Sequence, residues 1–209
     1  MRHLHKGRKL GRNPNHQRAL LKNLVISILM TERYADGDSN VPKIPGRIIT
    51  TLPKAKEVRP LLEKCITIAK KAQRHIKAAE EFESSASRGS TEWKQWRESE
   101  QWQRWNKAMA PAVAARRRVM QLIGNNKEAV SILFDVVAPR FEDRNGGYTR
   151  ILKLFKPRLG DAGQRAILEF VGQNDRKKKR THKPMIEADP VIESAPVIES
   201  DSASTESKS

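Results

Sequence analysis

The sequence predicts an α+β fold with appended ends, and three observations carry this prediction. Apolar residues recur at three- and four-residue spacing in several segments, which is typical of helices. Three short runs of β-branched or alternating apolar residues indicate strands. The ends differ from the middle in charge. We therefore expect a basic arm at 1–15, a single domain at 16–175, and a basic run followed by a disordered acidic tail at 176–209.

The charge balance indicates a polyanionic partner. The 209 residues carry a net charge of +17, and only 37% of them are apolar. Because such a charge repels itself in a compact free protein, it favours binding to nucleic acid or another polyanion. We expect no membrane partner, since the longest apolar stretch, 24–30, is far shorter than the about 20 residues of a span. The lone Cys65 allows no internal disulfide, and with no signal-peptide core a reducing cytoplasm fits.

The first 22 residues form the most cationic stretch, with seven Lys or Arg, three His and no acid. Gly7, Gly11 and Pro14 interrupt it, so we expect residues 1–12 to be extended. We favour an arm that binds nucleic acid, because uncompensated cations gain most from releasing counterions. The alternative is a disordered solubilising tail.

Four elements are predicted next along the chain. Asn13-Pro14 opens a helix that continues to about Met30. Residues 34–46 are expected to form a loop, and the β-branched run at 47–51 a strand. A second helix begins at Leu52, and Pro60 is expected to kink it or reset its start. Cys65 is expected to be a small core residue of this helix.

Residues 79–111 contain four tryptophans among charged residues. In one continuous helix, Trp93 and Trp96 would lie nearly opposite Trp102 and Trp105. We expect a helical excursion that packs against protein, with RNA stacking or simple exposure as alternatives. Deleting residues 80–110 is expected to spare RNA binding by the rest of the chain.

The remaining elements are two helices and two strands. A helix spans about 112–123 and carries three consecutive arginines at 116–118. Asn125 and Glu128 suggest a capping box for the next helix, which is expected to stop at Pro139. Strands are predicted at about 148–155 and 165–171, and in the second Ala166, Leu168 and Phe170 share one face. The acidic tail that follows either shields the cationic surface or aids solubility.

No catalytic constellation is evident in the sequence. The five histidines are scattered in polar, basic surroundings, and no carboxylate pair suggests acid–base chemistry. No phosphate-binding glycine motif and no nucleophile elbow is present. We therefore expect no enzyme activity, no cofactor and no bound metal. An RNA-modifying enzyme is a rival reading that lacks a catalytic group.

The stretch 144–151, with two glycines between two arginines, is the most informative motif. Paired glycines permit a tight turn whose backbone approaches another surface closely. Arg144 and Arg150 would hold phosphates on both sides of the turn, and Tyr148 would offer a stacking face. The alternative is an ordinary turn that enters a strand.

Several blocks of sequence, in one order, resemble the bacterial ribosomal protein L-seventeen family. They are MRH at 1–3, GRKL at 7–10, RALLKNL at 18–24, ITTLPKAKEVR at 49–59, ITIAK at 66–70, APRF at 138–141, GGYTRI at 146–151 and GDA at 160–162. The resemblance covers roughly 1–33, 47–78 and 112–172. It assigns no role to the loop insertion at 34–46, to the Trp-rich helical insertion at 79–111, or to the residues beyond about 175.

The resemblance implies a two-layer α+β domain, with several helices on one side of a small three-stranded sheet that we expect to be mixed. It implies a structural role in the large ribosomal subunit, with binding to large-subunit ribosomal RNA near the mouth of the nascent-chain exit tunnel. Neighbouring large-subunit ribosomal proteins are the other implied partners, and no small-molecule substrate is expected. A free nucleoid or regulatory nucleic-acid-binding factor is the rival function.

The RNA-binding role is carried onto the basic arm, the first helix, the 50–59 block and the glycine turn, with one arginine of the 116–118 run. The predicted RNA-binding residues are Arg2, His3, Lys6, Arg8, Lys9, Arg12, His16, Arg18, Lys22, Asn23, Thr50, Thr51, Lys54, Lys56, Arg59, Arg117, Arg144, Gly146, Gly147, Tyr148, Thr149, Arg150 and Lys153.

Overall fold

A computed structural model describes residues 7–34 and 39–172 and confirms the α+β class. Its elements, in chain order, are α1 (Pro14–Met30), β1 (Arg47–Thr51), α2 (Leu52–Glu80), α3 (Thr91–Glu98), α4 (Glu100–Ile123), α5 (Lys127–Ile132), a π-helical turn (Leu133–Val137), α6 (Ala138–Arg140), β2 (Thr149–Lys153) and β3 (Arg165–Phe170). The predicted arm residues Arg2, His3 and Lys6 lie outside the described residues, as does the tail at 176–209.

The three strands form one antiparallel sheet in the order β1-β3-β2. The expectation of a mixed sheet is therefore wrong. β1 and β2 do run parallel to each other, but β3 lies between them and pairs antiparallel with both. A short loop without a helix joins β2 to β3, and so short a connection permits only antiparallel pairing.

The inner face of the sheet packs against the helices. Ala166, Leu168 and Phe170 share this face as predicted and are buried. They join one core cluster with the buried residues of α1 and α2, including Val25, Leu62 and Cys65. Burial raises the pKa of the Cys65 thiol to about 11, which confirms this cysteine as an inert core residue rather than a reactive one.

The starts of α1 and α2 agree with the sequence. The Asn13 side chain accepts a hydrogen bond from the backbone N–H of Asn15 at 2.8 Å, and α1 begins at the next residue, Pro14. α2 begins at Leu52 and continues through Pro60, so Pro60 does not reset its start. Pro60 is exposed, and buried Val58 and Leu62 on either side of it hold the helix on the core.

Two predicted helix boundaries are corrected. Asn126, not Asn125, caps α5, because its side chain accepts from the Ala129 N–H at 2.9 Å. Asn125 instead adopts a positive φ just after the left-handed Gly124 that ends α4. The helical path also continues through Pro139 to Arg140, because the π-helical turn feeds directly into α6 and places Pro139 in its first turn.

The Trp-rich insertion folds as two helices, so the opposite placement of the tryptophans that one continuous helix would give does not arise. Ser99 is extended, with φ −81° and ψ 162°, and it separates α3 from α4. This break redirects the chain, and all four indoles line one cleft of about 450 Å³. The rings of Trp96 and Trp105 meet edge to face at 5.7 Å. No residue from 80 to 111 is fully buried, whereas Ala79 and Ala112 are.

Candidate nucleic-acid interface

The exposed face of α2 is a row of basic side chains. Lys56, Arg59, Lys70 and Arg74 fall within an arc of roughly 60° when each residue advances the helix by about 100°, and Glu63, which pairs with Arg59, lies in the same arc. The face of α2 that is turned toward the core supplies buried residues such as Leu62 and Cys65. We call this row the α2 basic face, and two clefts lie beside it.

The first of these, the α2–β2 cleft, brings predicted residues from two distant blocks together. It has a volume of about 470 Å³. Among the described residues its lining consists of Leu52, Lys56, Arg59, Thr149, Arg150, Ile151 and Lys153, with no Asp or Glu. Five of these seven were predicted RNA-binding residues. The packing of α2 on the sheet therefore joins the block at 50–59 to the strand after the glycine turn.

Beneath this cleft, two carboxylates hold the basic residues in place. The Glu63 carboxylate accepts hydrogen bonds from Arg59 Nε at 3.1 Å and from the Thr149 hydroxyl at 2.9 Å. The Glu169 carboxylate lies between Arg47 and Arg150, its partners in register on the flanking strands, and accepts from both. Thr149 is 2% exposed and its hydroxyl is bonded to Glu63, while its role as an RNA contact stays a prediction.

The second, which we call the turn cleft, lies between α2 and the glycine turn. It has a volume of about 340 Å³, and the described residues that line it are Thr67, Lys70, Lys71, Arg74, Asn145, Gly146 and Tyr148, none of them acidic. Lys70 Nζ donates to the carbonyl oxygen of Arg144 at 2.7 Å and approaches the Asn145 side-chain oxygen at 3.3 Å. These contacts fasten the turn to α2.

The turn has the geometry that its glycines suggested. Gly146 and Gly147 have φ values of +97° and +62°, in the region that favours glycine. Arg144 Nε donates to the carbonyl oxygens of both glycines, at 3.3 and 3.2 Å. A Cβ built on either glycine meets no heavy atom within 4 Å, so one side of the turn is open space. An external surface can therefore approach this backbone.

Tyr148 is a correction to the predicted interface. Its side chain is 3% exposed, and its ring packs on Phe141 with centroids 5.2 Å apart. A base therefore has no free face of Tyr148 to stack on. The ring instead anchors the turn to the core, which limits the interface here to the backbone and the flanking cations.

The described part of the arm lies against the helices. Gly11 accepts a hydrogen bond at its carbonyl oxygen from the Gln17 side chain at 2.7 Å, and Arg8 lies 3.4 Å from the Glu57 carboxylate of α2. Arg8, Lys9 and Arg12 are all exposed. These contacts place the described part of the arm against α1 and α2.

The other predicted residues are spread over nearby elements. On α1, His16, Arg18 and Asn23 are exposed and Lys22 is half-buried. Thr50, Thr51 and Lys54 are half-buried around the junction of β1 and α2. Arg117 is exposed on α4, away from the two clefts that the structure forms beside β2 and the turn.

Sequence reasoning missed the middle of α2. Lys70, Lys71 and Arg74 line the turn cleft, yet none was predicted to bind RNA. The sequence does indicate these residues, because basic residues continue at helical spacing beyond Arg59. Lys77, the next in that series, is occupied by Glu142, which accepts from it at 2.5 and 2.7 Å. This hydrogen bond, together with the charge of Lys77, lowers the pKa of Glu142.

Neither a metal-binding cluster nor a membrane-spanning helix occurs within residues 7–34 and 39–172. No group of three or more His, Cys, Asp or Glu side chains there is placed to hold a metal ion. Over the same ranges, no helix is long and apolar enough to cross a membrane.

Comparison with known proteins gives one consistent family. A model of the family described as ribosomal protein L17 matches residues 20–171. The large ribosomal subunit protein bL17 of Rhodopirellula baltica is 59% identical over 189 residues, which cover 90% of each chain. The bL17 proteins of Mesorhizobium japonicum and Campylobacter lari are 32% and 36% identical, over 90% and 82% of this chain and 94% and 99% of their own lengths.

Proposed function

The chain belongs to the ribosomal protein L17 family, and we propose that it binds large-subunit ribosomal RNA through the α2 basic face and its two clefts. As a member of this family it is a structural protein of the large ribosomal subunit, which is cytoplasmic in bacteria and acts in translation. The residues and their geometry support the finer assignment to RNA.

The α2–β2 cleft is the observation that carries the proposal. Lys56 and Arg59 of α2 lie far in the sequence from Lys153 of β2, yet all three converge on one cleft whose described lining residues include no Asp or Glu. Cations gathered in this way bind a phosphate backbone favourably, because they release the counterions condensed on the RNA. Glu63 and Glu169 orient the neighbouring arginines from below, so the surface is formed before RNA arrives.

The glycine turn supplies the complementary contact. Its open side leaves room for RNA phosphates or riboses to approach the backbone at Gly146 and Gly147, and the flanking turn cleft adds Lys71 and Arg74. Contacts of this kind set the position of a protein on RNA without reading its sequence. We therefore propose that this protein stabilises folded RNA and does not recognise a short RNA sequence motif.

The basic arm adds further cations to those of the two clefts. Arg8 pairs with Glu57 in the free chain, and an incoming phosphate would replace that carboxylate. Ordering an arm costs conformational entropy, which dense phosphate contacts in the assembled particle offset. We further propose, from the family resemblance, a position near the mouth of the nascent-chain exit tunnel beside other large-subunit ribosomal proteins.

Sedimentation tests this function directly. A tagged chain expressed in a bacterium that assembles it should migrate with the large subunit in sucrose gradients at moderate salt. Replacing Arg2, Arg8 and Arg12 together by Ala should reduce incorporation and make it more sensitive to salt. A chain confined to the light fractions, with tight binding to duplex DNA, would instead identify a free nucleic-acid-binding factor.

A further inference from the structure

A second basic channel lies on the other side of α2, between α2 and α4. This α2–α4 groove has a volume of about 630 Å³. Its rim carries cationic and polar side chains from both helices, namely Lys64, Lys71, His75, Arg117, Arg118 and Gln121. Of these, only Arg117 was expected to bind RNA.

The floor of the α2–α4 groove is apolar and firm. Ile68 and Ala72 of α2 and Ala115 of α4 form it. Ala72 is 2% exposed, and Ala112 and Val119 on the α4 side are buried in the core. The two helices are thus packed together below the groove, and small side chains keep it open. A ligand would meet an apolar base between two cationic walls.

Charge determines what chemistry fits this groove. No Asp or Glu of residues 7–34 or 39–172 lines it. Arg116 is occupied, since it pairs with Asp135 at 3.2 Å and lies over the Phe134 ring. Lys64, Lys71, Arg117 and Arg118, by contrast, make no ion pair within the described part of the chain. The free cations match the phosphates of a nucleic-acid backbone, and the apolar floor matches its riboses and base faces.

The groove is separate from the clefts that carry the proposed function. Lys64 and His75 are turned about 80 to 100° around α2 from Lys56, toward α4. Lys71 lies between, because it lines both this groove and the turn cleft. α2 is therefore a ridge with a cationic channel on each side.

We propose that the α2–α4 groove holds the phosphate backbone of a second RNA segment, distinct from the one bound in the α2–β2 cleft. The inference rests on the proposed function, since it takes ribosomal RNA as the ligand. The protein then ties two RNA segments together across one helix.

Site-specific cross-linking in the assembled particle tests this inference. Cys65 is buried, so a cysteine introduced at an exposed position carries a photoreactive probe selectively. Gln121→Cys places the probe at the α2–α4 groove, and Lys153→Cys places it at the α2–β2 cleft. Gln103→Cys, exposed on the Trp-rich insertion, is the control for nonspecific labelling.

The expected result is RNA cross-links from both probes, to nucleotides in two different segments of the large-subunit RNA. Cross-links from Gln121→Cys to protein alone, or to the segment reached from Lys153→Cys, overturn the inference and leave the proposed function standing. An absence of RNA cross-links from both probes overturns the proposed function as well.

Charge variants give a second readout. Replacing Lys64, Arg117 and Arg118 together by Gln should lower the log–log salt slope of binding to large-subunit RNA by about 2 to 3. The same variant should leave cross-linking from Lys153→Cys in place, because the cleft is intact. An unchanged salt slope contradicts phosphate binding in the groove.

Discussion

The side-chain nitrogen of Lys70 lies 2.7 Å from the carbonyl oxygen of Arg144 and so fastens the glycine turn to α2. The two residues are 74 positions apart in the sequence. This contact makes one surface of two motifs that the sequence presents separately, the lysine-rich helix and the Gly-Gly turn. Lys70 therefore stabilises the fold and also contributes positive charge to the interface.

Replacing Lys70 by Met should loosen the turn. The variant loses the hydrogen bonds to Arg144 and Asn145, so its free energy of unfolding should be about 1 kcal/mol lower. Urea denaturation measures this loss, and hydrogen exchange should quicken at Gly146 and Gly147. Lys43→Met, at an exposed loop lysine, is the matched control and should change neither. Equal behaviour of the two variants would show that the contact is not structural.

Gly46 should tolerate no side chain. Its φ is +70°, and a Cβ there would lie 2.5 Å from Glu32 Oε1, an oxygen that Arg140 holds in a two-bond ion pair. Gly46→Ala should therefore destabilise the protein by about 2 to 4 kcal/mol, from backbone strain and displacement of Glu32. Thermal or urea unfolding gives the value.

Gly160→Ala is the control for Gly46→Ala. Gly160 also has a positive φ, +97°, but a Cβ there meets nothing within 4 Å. Gly160→Ala should lower the free energy of unfolding by only about 1 kcal/mol, from backbone strain. If the two variants cost the same, the Glu32–Arg140 pair is not what restricts Gly46.

Periodic patterns made much of this fold predictable, and tertiary contacts explain the rest. The starts of α1 and α2 and the buried face of β3 follow from local signals at Asn13-Pro14, Leu52-Pro53 and Ala166. The antiparallel sheet did not follow, because β3 inserts between strands that precede it in the chain. The convergence of the tryptophans depends on one extended residue, Ser99, that no periodicity reveals.

The candidate interface shows the same division. Arg59 and Lys153 were predictable as cations in matched motifs, but only the packing of α2 on the sheet brings them into one cleft. Composition alone cannot tell which residues near the turn are buried. Tyr148 and Thr149 therefore looked available in the sequence, yet they serve the core.

Removing the Trp-rich insertion should leave the fold and RNA binding intact. Replacing residues 81–109 by a flexible Gly-Ser linker of about ten residues removes no fully buried side chain. Circular dichroism should show a cooperative transition with less helix, and affinity for large-subunit RNA should be unchanged. A chain that no longer folds would place the insertion in the core.

Stability should fall at alkaline pH because of Cys65. Burial raises the pKa of its thiol from 9.0 to about 11, so the folded state keeps a proton that the unfolded state releases. By linkage, the stabilisation is complete below pH 9 and is lost as pH rises from 9 to 11, by at most about 3 kcal/mol. Cys65→Ala should lack this loss, and the difference between the two unfolding curves isolates it from other titrations. Parallel pH dependences would contradict a buried thiol.

The salt dependence of binding to large-subunit ribosomal RNA tests directly whether the α2–β2 cleft binds RNA phosphates. Replacing Lys56, Arg59 and Lys153 together by Gln removes three cations from the α2–β2 cleft, and Lys94, Arg104 and Lys107, exposed on the Trp-rich insertion, provide a control of equal charge. The cleft variant should lower the log–log salt slope by about 2 to 3, whereas the control should leave it unchanged. Equal slopes for the two variants would contradict this expectation, because binding would then depend on net charge and not on this cleft.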